Sequence, residues 1–307
     1  MRATWFLTRQ PADCGTVGQP ADSLEKVTMP LVVLVAPPRS GATLLSLALT
    51  QGEGWAASSS SLSAAVDSIA GFRTTDRGLA SDRLTAADAT PELTAALQAA
   101  APPSDEVFVE WSARSSMQVG LIAQALPDAK FVFLTRRPLM TVSSSMVAWS
   151  SGRFVSQPDL PDWWGDRWSF PLIDGWRELI GAPLAQVCAT QWNTITNAIL
   201  DDLAELPPDR WTVSCFESLV EDPAAEVTRI AHDLGLEWSG QMLDPLPPTL
   251  TCVTPPDARA WRGNASEAMT ALEPRETTVM RMLSAVQERV PGFTGAGSRP
   301  SPEAPHP

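Results

Sequence analysis

The sequence of 307 residues contains no tyrosine and only two histidines. A catalytic tyrosine is therefore excluded, and so is a histidine-rich metal site. His232 lies in a stretch that predicts an amphipathic helix ending at Gly235, and His306 lies in a C-terminal tail that we expect to be disordered. Neither position favours catalysis, so any proton transfer falls to a carboxylate or to Lys26 or Lys130.

Basic residues, cysteine clusters and long apolar runs are also scarce. The net charge of -13 argues against binding to nucleic acid or to an anionic membrane. No apolar run approaches the 18 residues or so of a transmembrane helix. Cys14, Cys188, Cys215 and Cys252 form no CxxC pair, so zinc is not expected. With no secretory signal, these features predict a cytoplasmic protein with reduced thiols and no metal, nucleic-acid or membrane partner.

Hydrophobic residues make up 44% of the chain, enough for a sizeable core, and they occur in alternating strand-like and helix-like stretches. Repeated strand–helix units predict an α/β fold with a parallel central sheet flanked by helices on both faces. Such sheets bind ligands at the carboxyl ends of their strands. The predicted strands are 31–36, 107–110, 130–135 and 211–216, and the predicted helices after them are 43–51, 114–126, 139–149 and 223–234.

The remaining stretches predict the boundaries of the fold. Residues 1–28 form a flexible N-terminal arm, 29–291 a single domain, and 292–307 a disordered tail. Two inserts are candidates for a cap over the strand ends. The first, 52–106, looks helical and surface-lying. The second, 150–205, is rich in tryptophan, and its aromatic side chains form either an exposed binding surface or a cluster that anchors a long loop.

The loop after the first predicted strand carries the clearest chemical signal. A tight turn that begins a helix presents free backbone N–H groups and the positive end of the helix dipole. Gly41 permits close approach of a ligand to the backbone, Ser40 and Thr43 add hydroxyl donors, and Arg39 adds a fixed positive charge. The segment therefore predicts a cradle for a phosphate or sulfate group, and an ordinary strand-to-helix turn is the alternative.

Two motifs in this sequence resemble those of sulfotransferases that use 3'-phosphoadenosine 5'-phosphosulfate (PAPS). The segment PRSGATLL at 38–45 is similar to the family's 5'-phosphosulfate loop, P-[KR]-[SA]-G-[TS]-T-x-[LW]. The second motif, R-[DN]-P-x(5)-S, follows the third strand of these enzymes, and its arginine and serine hold the 3'-phosphate. Arg136, Pro138 and Ser144 match its spacing, whereas Arg137 replaces the usual aspartate or asparagine.

A third, weaker resemblance lies near the last predicted strand, so that the likeness runs over about 31–262. The segment CFESLVEDPAAEVTRIAHDLGLEW is similar to the family pattern R-Y-E-D-L-x-x-[DN]-P followed by LGL. It departs from that pattern at Cys215, Phe216 and Ser218.

The resemblance implies a P-loop NTPase-like sulfotransferase fold. It also implies transfer of the sulfuryl group from PAPS to a hydroxyl of a small-molecule or carbohydrate acceptor, giving the product PAP and a sulfate ester without a metal. The residues that it assigns to the nucleotide are Arg39, Ser40, Gly41, Ala42, Thr43, Leu44, Arg136, Ser144, Trp192, Arg262 and Gly263. A core position is the alternative for Trp192, and a solvated surface position is the alternative for Arg262; Arg259 is an equal candidate.

The resemblance also suggests a catalytic base. Family members use histidine or glutamate, and many that use glutamate carry E-K-[ST] after a strand. Glu110 matches this glutamate, but Trp111 stands in place of the lysine, so charge stabilisation would fall to Arg114 or Arg39. The alternative is that Glu110 caps the helix predicted over 114–126.

Two other functional classes stay open at this point. One is a P-loop nucleotide kinase or other phosphotransferase. The phosphate loop of such enzymes, GxxxxGK[ST], needs a glycine and a lysine where this sequence has Ala36 and Ala42. The other is a non-catalytic nucleotide-binding protein, in which Trp111 would mark a degenerate site.

Overall fold

The computed structural model describes residues 31–58, 61–101, 104–163, 165, 167–242 and 260–290. The strands within them are β1 Leu31–Val35, β2 Trp55–Ala57, β3 Val107–Trp111, β4 Lys130–Thr135, β5 Val155–Gln157, β6 Trp168–Ser169 and β7 Trp211–Cys215. Five of these strands form one parallel sheet in the order β2-β3-β1-β4-β7, and the antiparallel strands β5 and β6 form a hairpin. The α/β class and the four predicted strands are confirmed.

Helices cover both faces of the sheet because successive side chains of a strand point to opposite faces. The helices are α1 Ala42–Leu49, α2 Leu62–Ser68, α3 Pro91–Ala100, α4 Val119–Ala125, α5 Pro138–Ser150, α6 Leu184–Ala204, α7 Phe216–Glu221, α8 Pro223–Asp233, α9 Ala265–Leu272 and α10 Glu276–Arg289. Val32 and Leu34 pack with α1, α7 and α8, whereas Leu31 and Val33 pack with helices from α2 to α6 and with α10.

This arrangement predicts a ligand-binding crevice at the carboxyl end of β1. The chain that leaves β1 runs to α1 on one face of the sheet, whereas the chains that leave the neighbouring strands β3 and β4 run to the opposite face. Connections that part in this way leave a gap between them, and open α/β sheets bind ligands there. The topology therefore places the loop after β1 at the usual ligand-binding position.

Two predicted segments differ from the structure. The stretch 52–106 does not lie wholly on the surface, because β2 extends the sheet at its edge and Leu93 and Leu97 of α3 are buried in the core. The helix predicted over 114–126 is interrupted. A short 3-10 helix, Ser115–Met117, precedes α4, and the backbone at Gln118 (φ -134°) separates the two.

Trp149, near the end of α5, forms an aromatic cluster in the core with Trp163, Trp168 and Trp176 of the second insert. Trp149, Trp168 and Trp176 are each at most 1% exposed. Ring centroids lie 5.3 Å apart for Trp149 and Trp168 and 4.8 Å apart for Trp163 and Trp168. For these side chains, the predicted alternative of a cluster that anchors the long loop is confirmed. The other alternative, an exposed binding surface, is wrong for Trp168 because this side chain is buried.

Several predictions fall outside the described residues, namely those for the arm 1–28, the tail 292–307 and Arg259. Among the described residues, no helix has the length and apolar character needed to span a membrane. The same residues contain no group of three or more His, Cys, Asp or Glu side chains suited to a metal ion. His232 lies on α8 with 89% of its side chain exposed, which places it on the surface.

Candidate nucleotide and sulfuryl-transfer site

The loop between β1 and α1 forms a cradle of backbone donors. Gly41 occupies the N-cap of α1 with φ 104°, and its carbonyl accepts hydrogen bonds from the N–H groups of Leu44 (2.9 Å) and Leu45 (3.1 Å). The first N–H groups of any helix have no partner within that helix, so those of residues 41–43 are oriented outward from its start. Together with the helix dipole, they can bind an anion.

Gly41 is required here by a close contact as well as by its backbone angle. A Cβ atom at this position would lie 2.4 Å from Cδ2 of Phe216 and 2.8 Å from Cε2. Phe216 is the first residue of α7, directly after β7. Its ring therefore sets how closely the loop can pass.

Arg136 joins this loop to the motif that follows β4. Its Nη1 donates to the carbonyl of Arg39 at 3.0 Å, and its guanidinium lies 4.4 Å from the ring centroid of Phe216. Nε of Arg39 in turn donates to the Ser144 hydroxyl of α5 at 3.3 Å. The structure thus brings together Arg39, Arg136 and Ser144 from the two sequence motifs.

The electrostatics of Arg136 are unusual for an arginine. Burial lowers its pKa, the carboxylate of Glu217 opposes this change, and the nearby positive charge of Arg39 adds to it. Its Nε is buried, and no atom of the described residues forms a hydrogen bond with it. The next residue, Arg137, differs: it is about half exposed (51%), and its guanidinium lies 3.7 Å from Glu217.

Glu110 lies in β3, in register with Val33 of β1, and is only 3% exposed. The Ser115 hydroxyl lies 3.3 and 3.2 Å from its two carboxylate oxygens. Burial raises the pKa of Glu110 to about 7, and the hydrogen bonds from Ser115 and from the Leu62 backbone oppose this rise only in part. A carboxyl group with such a pKa can exchange a proton near neutral pH.

The turn after β3 is closely tied to its surroundings. The Ser116 hydroxyl accepts from the Ala36 N–H (2.9 Å) and donates to the Ala36 carbonyl (3.0 Å), which connects the turn to the end of β1. Arg114 forms ion pairs with Asp67 (2.7 Å) and Asp82 (3.3 Å). Arg114 is therefore engaged elsewhere, and the structure does not support it as the substitute for the missing lysine.

The other predicted site residues lie apart from this cluster or at its margin. Trp192 on α6 is 3% exposed and belongs to the hydrophobic core. Arg262 and Gly263 are exposed in a 3-10 helix, Ala260–Asn264. Nδ2 of Asn264 donates to the Ser143 carbonyl at 3.2 Å, which holds this helix against α5, the helix that carries Ser144.

Sequence reasoning missed two aromatic contacts of the cluster. Phe216 was visible only as a departure from the family pattern, although its position directly after β7 places it at the ligand-binding edge. Phe154 contacts the Arg39 side chain, with the guanidinium 5.1 Å from the ring centroid. Phe154 follows α5 and is far from the loop after β1 along the chain. No sequence motif connects the two.

Comparison with known proteins identifies the family. The model of the Sulfotransferase family matches residues 30–240. Searching the curated proteins gave no similar sequence.

Several solved structures match this chain at low sequence identity. A sulfotransferase domain from the curacin biosynthetic pathway is 16% identical, with 84% of this chain and 98% of that chain covered and a TM-score of 0.47. A sulfotransferase from Alicyclobacillus acidocaldarius is 17% identical, with 84% and 98% covered and a TM-score of 0.45. A retinol dehydratase solved with androsterone and PAP is 14% identical, with 86% and 83% covered and a TM-score of 0.37. Because the family model matches more than half of the chain, this protein belongs to the sulfotransferase family and is an enzyme that transfers the sulfuryl group of PAPS.

Proposed function

We propose that the protein binds PAPS in one orientation in the crevice beside β1. It then transfers the sulfuryl group to a hydroxyl of a small-molecule or carbohydrate acceptor. The loop from Arg39 to Leu44 holds the 5'-phosphosulfate end, and Arg136 with Ser144 holds the 3'-phosphate. The observation that carries this proposal is the direct connection between the two motifs, in which Arg136 binds the Arg39 carbonyl and Arg39 binds the Ser144 hydroxyl.

The donors in this crevice fit a nucleotide with phosphate groups at two positions. Two guanidinium groups lie close enough for the charge of Arg39 to lower the pKa of Arg136. A bound anion would relieve this repulsion and provide a partner for the buried Nε of Arg136. The outward N–H groups at the start of α1 complete a site for a second anionic group.

Catalysis would divide between a base and an anion-binding loop. PAPS, when bound, supplies the activated sulfuryl group. Glu110 accepts the proton of the acceptor hydroxyl as that oxygen attacks the sulfur. Arg39 and the N–H groups of residues 41–43 stabilise the charge that develops toward the 5'-phosphate.

Adjacent arginines provide a matched test of the nucleotide site. Arg136→Ala should weaken PAP binding about ten- to a hundredfold, because hydrogen bonds to a charged group are worth about 1.5–3 kcal/mol. Arg137→Ala should change the affinity less than threefold, because Arg137 is half exposed and pairs with Glu217. Isothermal titration calorimetry with PAP measures both affinities.

Thermal-shift measurements with PAP, PAPS, ATP plus Mg²⁺ and NADPH extend this test. PAP and PAPS should raise the melting temperature of the wild-type protein, and ATP with Mg²⁺ should not. Equal losses of PAP affinity in Arg136→Ala and Arg137→Ala, or stabilisation by ATP with Mg²⁺ alone, would contradict the proposed site.

A further inference from the structure

We propose that Phe154 is a positioning residue that orients the Arg39 guanidinium, and that the buried tryptophan cluster exists to hold Phe154 in place. This inference rests on the proposed function of Arg39 at the 5'-phosphosulfate end of PAPS. It gives the aromatic segment between α5 and α6 a role in the reaction that the two sequence motifs leave unassigned.

Arg39 is held on several sides. Its carbonyl accepts from Nη1 of Arg136 and its Nε donates to the Ser144 hydroxyl, while the ring of Phe154 lies 5.1 Å from its guanidinium carbon. Its backbone has φ 71°, a left-handed conformation that side chains other than glycine rarely adopt. Such a conformation persists only where the surroundings determine it, and such residues concentrate at functional sites.

Phe154 is in turn fixed from behind by Phe170. The two rings stack with centroids 5.3 Å apart, and the Phe170 N–H donates to the Phe154 carbonyl at 2.9 Å. Phe170 contacts Trp149, with centroids 6.3 Å apart, and Trp149 packs against Trp168 in the core. A continuous series of aromatic contacts therefore runs from the hydrophobic core to the guanidinium of the phosphate loop.

This geometry has a specific consequence for Arg39. An arginine side chain loses considerable conformational entropy when it is fixed, and an aromatic wall reduces the number of orientations it can adopt before a ligand arrives. The ring face also attracts the guanidinium itself. Removing the ring should therefore weaken the binding of PAPS through Arg39, without changing any group that would contact the nucleotide.

A double-mutant cycle tests whether Phe154 acts through Arg39. Calorimetry with PAPS and PAP would compare the wild type, Phe154→Ala, Arg39→Ala and the double variant. We expect Phe154→Ala to weaken PAPS binding about three- to tenfold in the wild-type background. In the Arg39→Ala background the same substitution should change the affinity less than twofold. Phe154→Tyr, which keeps the aromatic face, should bind PAPS within twofold of the wild type.

Two further variants separate positioning from loss of folding. Phe154→Leu keeps apolar volume but lacks the ring, so it should show the weakened binding even if Phe154→Ala does not fold. Phe72→Ala removes another half-buried phenylalanine, in the turn after α2, and should leave PAPS affinity unchanged. Melting temperatures of all the variants show which of them are folded.

The outcomes distinguish this inference from the proposed function. Equal effects of Phe154→Ala in both backgrounds, or no effect in either, would overturn the positioning role while a loss in Arg39→Ala still supported the nucleotide site. If Arg39→Ala itself bound PAPS and PAP as the wild type does, the proposed function of Arg39 would fail and this inference with it.

Discussion

The turns that follow β1 and β3 lie side by side at one edge of the sheet, yet their polar groups are arranged in opposite ways. The first turn presents N–H groups with no partner inside α1, next to Arg39 and Arg136. In the second, serine hydroxyls bind neighbouring groups, and Arg114 pairs with two aspartates. We call the turn after β1 the open turn, because its N–H groups are available to bind an anion. We call the turn after β3 the closed turn, because its serine hydroxyls and Arg114 bind neighbouring protein groups.

The closed turn has its own chemical value because it keeps positive charge away from Glu110. A cation beside a carboxylate lowers its pKa, whereas burial raises it. Since Arg114 is engaged with Asp67 and Asp82, the hydrogen bonds that oppose the effect of burial on Glu110 come from neutral donors, Ser115 and the Leu62 backbone. The pKa of Glu110 therefore stays near neutrality, where a general base is most effective.

The largest expected effect separates the closed turn from the open one. Glu110→Gln should lower sulfuryl transfer at least a hundredfold, because a positioned general base contributes about 10²–10⁴ in rate. PAP affinity should change less than threefold, since the anion-binding groups lie on the other turn. Transfer of ³⁵S from PAPS to an acceptor selected from a panel of phenols, alcohols and sugars measures the first quantity, and calorimetry with PAP measures the second.

Glu226 provides the control for this substitution. It is also buried (5% exposed), but it lies on α8, where Arg229 and Ser214 bind its carboxylate. Glu226→Gln should therefore reduce stability while retaining sulfuryl transfer. Near-normal transfer in Glu110→Gln, or loss of its PAP binding, would indicate that Glu110 has a structural role instead.

A smaller effect should arise in the open turn from Gly41→Ala. The added methyl would collide with Phe216 and would also require alanine to adopt φ 104°. Moving the Phe216 ring would disturb its contact with Arg136. We expect PAP affinity to fall about tenfold and the free energy of unfolding to fall by about 2–4 kcal/mol, as when overpacking and backbone strain combine.

Gly54→Ala separates the two causes. Gly54 has φ 73°, but a Cβ there would meet no atom of the described residues within 4 Å, so this variant carries only the backbone strain. It should lose about 1 kcal/mol and bind PAP normally. Adding Phe216→Leu to Gly41→Ala should restore part of the stability. If Gly54→Ala and Gly41→Ala were equally stable, the contact with Phe216 would not limit the loop.

The central strands of the sheet were predictable from the sequence, whereas its edge strand β2 was not. β1 and β4 are continuous apolar runs that stay buried on both faces, so their composition predicts central strands directly. β2 has only three residues, Trp55–Ala57, and lies at the edge of the sheet. A strand this short has no periodic pattern, and its pairing with β3 depends on residues about fifty positions away, so the sequence predicted a helical surface segment instead.

The candidate site was predictable where topology alone brings residues together. Arg39 and Arg136 follow adjacent parallel strands, so their positions in the sequence predict that both lie at the carboxyl end of the sheet. The burial of Glu110 was not predictable, because it depends on α2. The first residue of this helix, Leu62, lies in an insert whose position relative to the sheet the sequence did not predict. The contact of Phe154 with Arg39 likewise depends on a hairpin held by distant tryptophans.

The last expected effect concerns how the stability of the protein depends on pH through Glu110 in the closed turn. The pKa of Glu110 rises from 4.5 to about 7 on folding, so the folded state holds this proton more tightly than the unfolded state does. The resulting stabilisation is complete below about pH 4.5 and is lost as pH rises through 7. Glu110→Gln lacks this carboxyl group. Between pH 4 and pH 8, the free energy of unfolding of the wild type should therefore fall relative to that of Glu110→Gln by roughly 3 kcal/mol.

Urea denaturation of both proteins across this pH range measures the difference. Every other titrating group is shared, so its contribution cancels when the two curves are subtracted. A difference that rises between pH 5 and pH 8 identifies a Glu110 carboxyl that folding keeps protonated. A difference that is flat over this range would mean that Glu110 ionises alike in both states, and the closed turn would then be no better suited to proton transfer than an exposed glutamate.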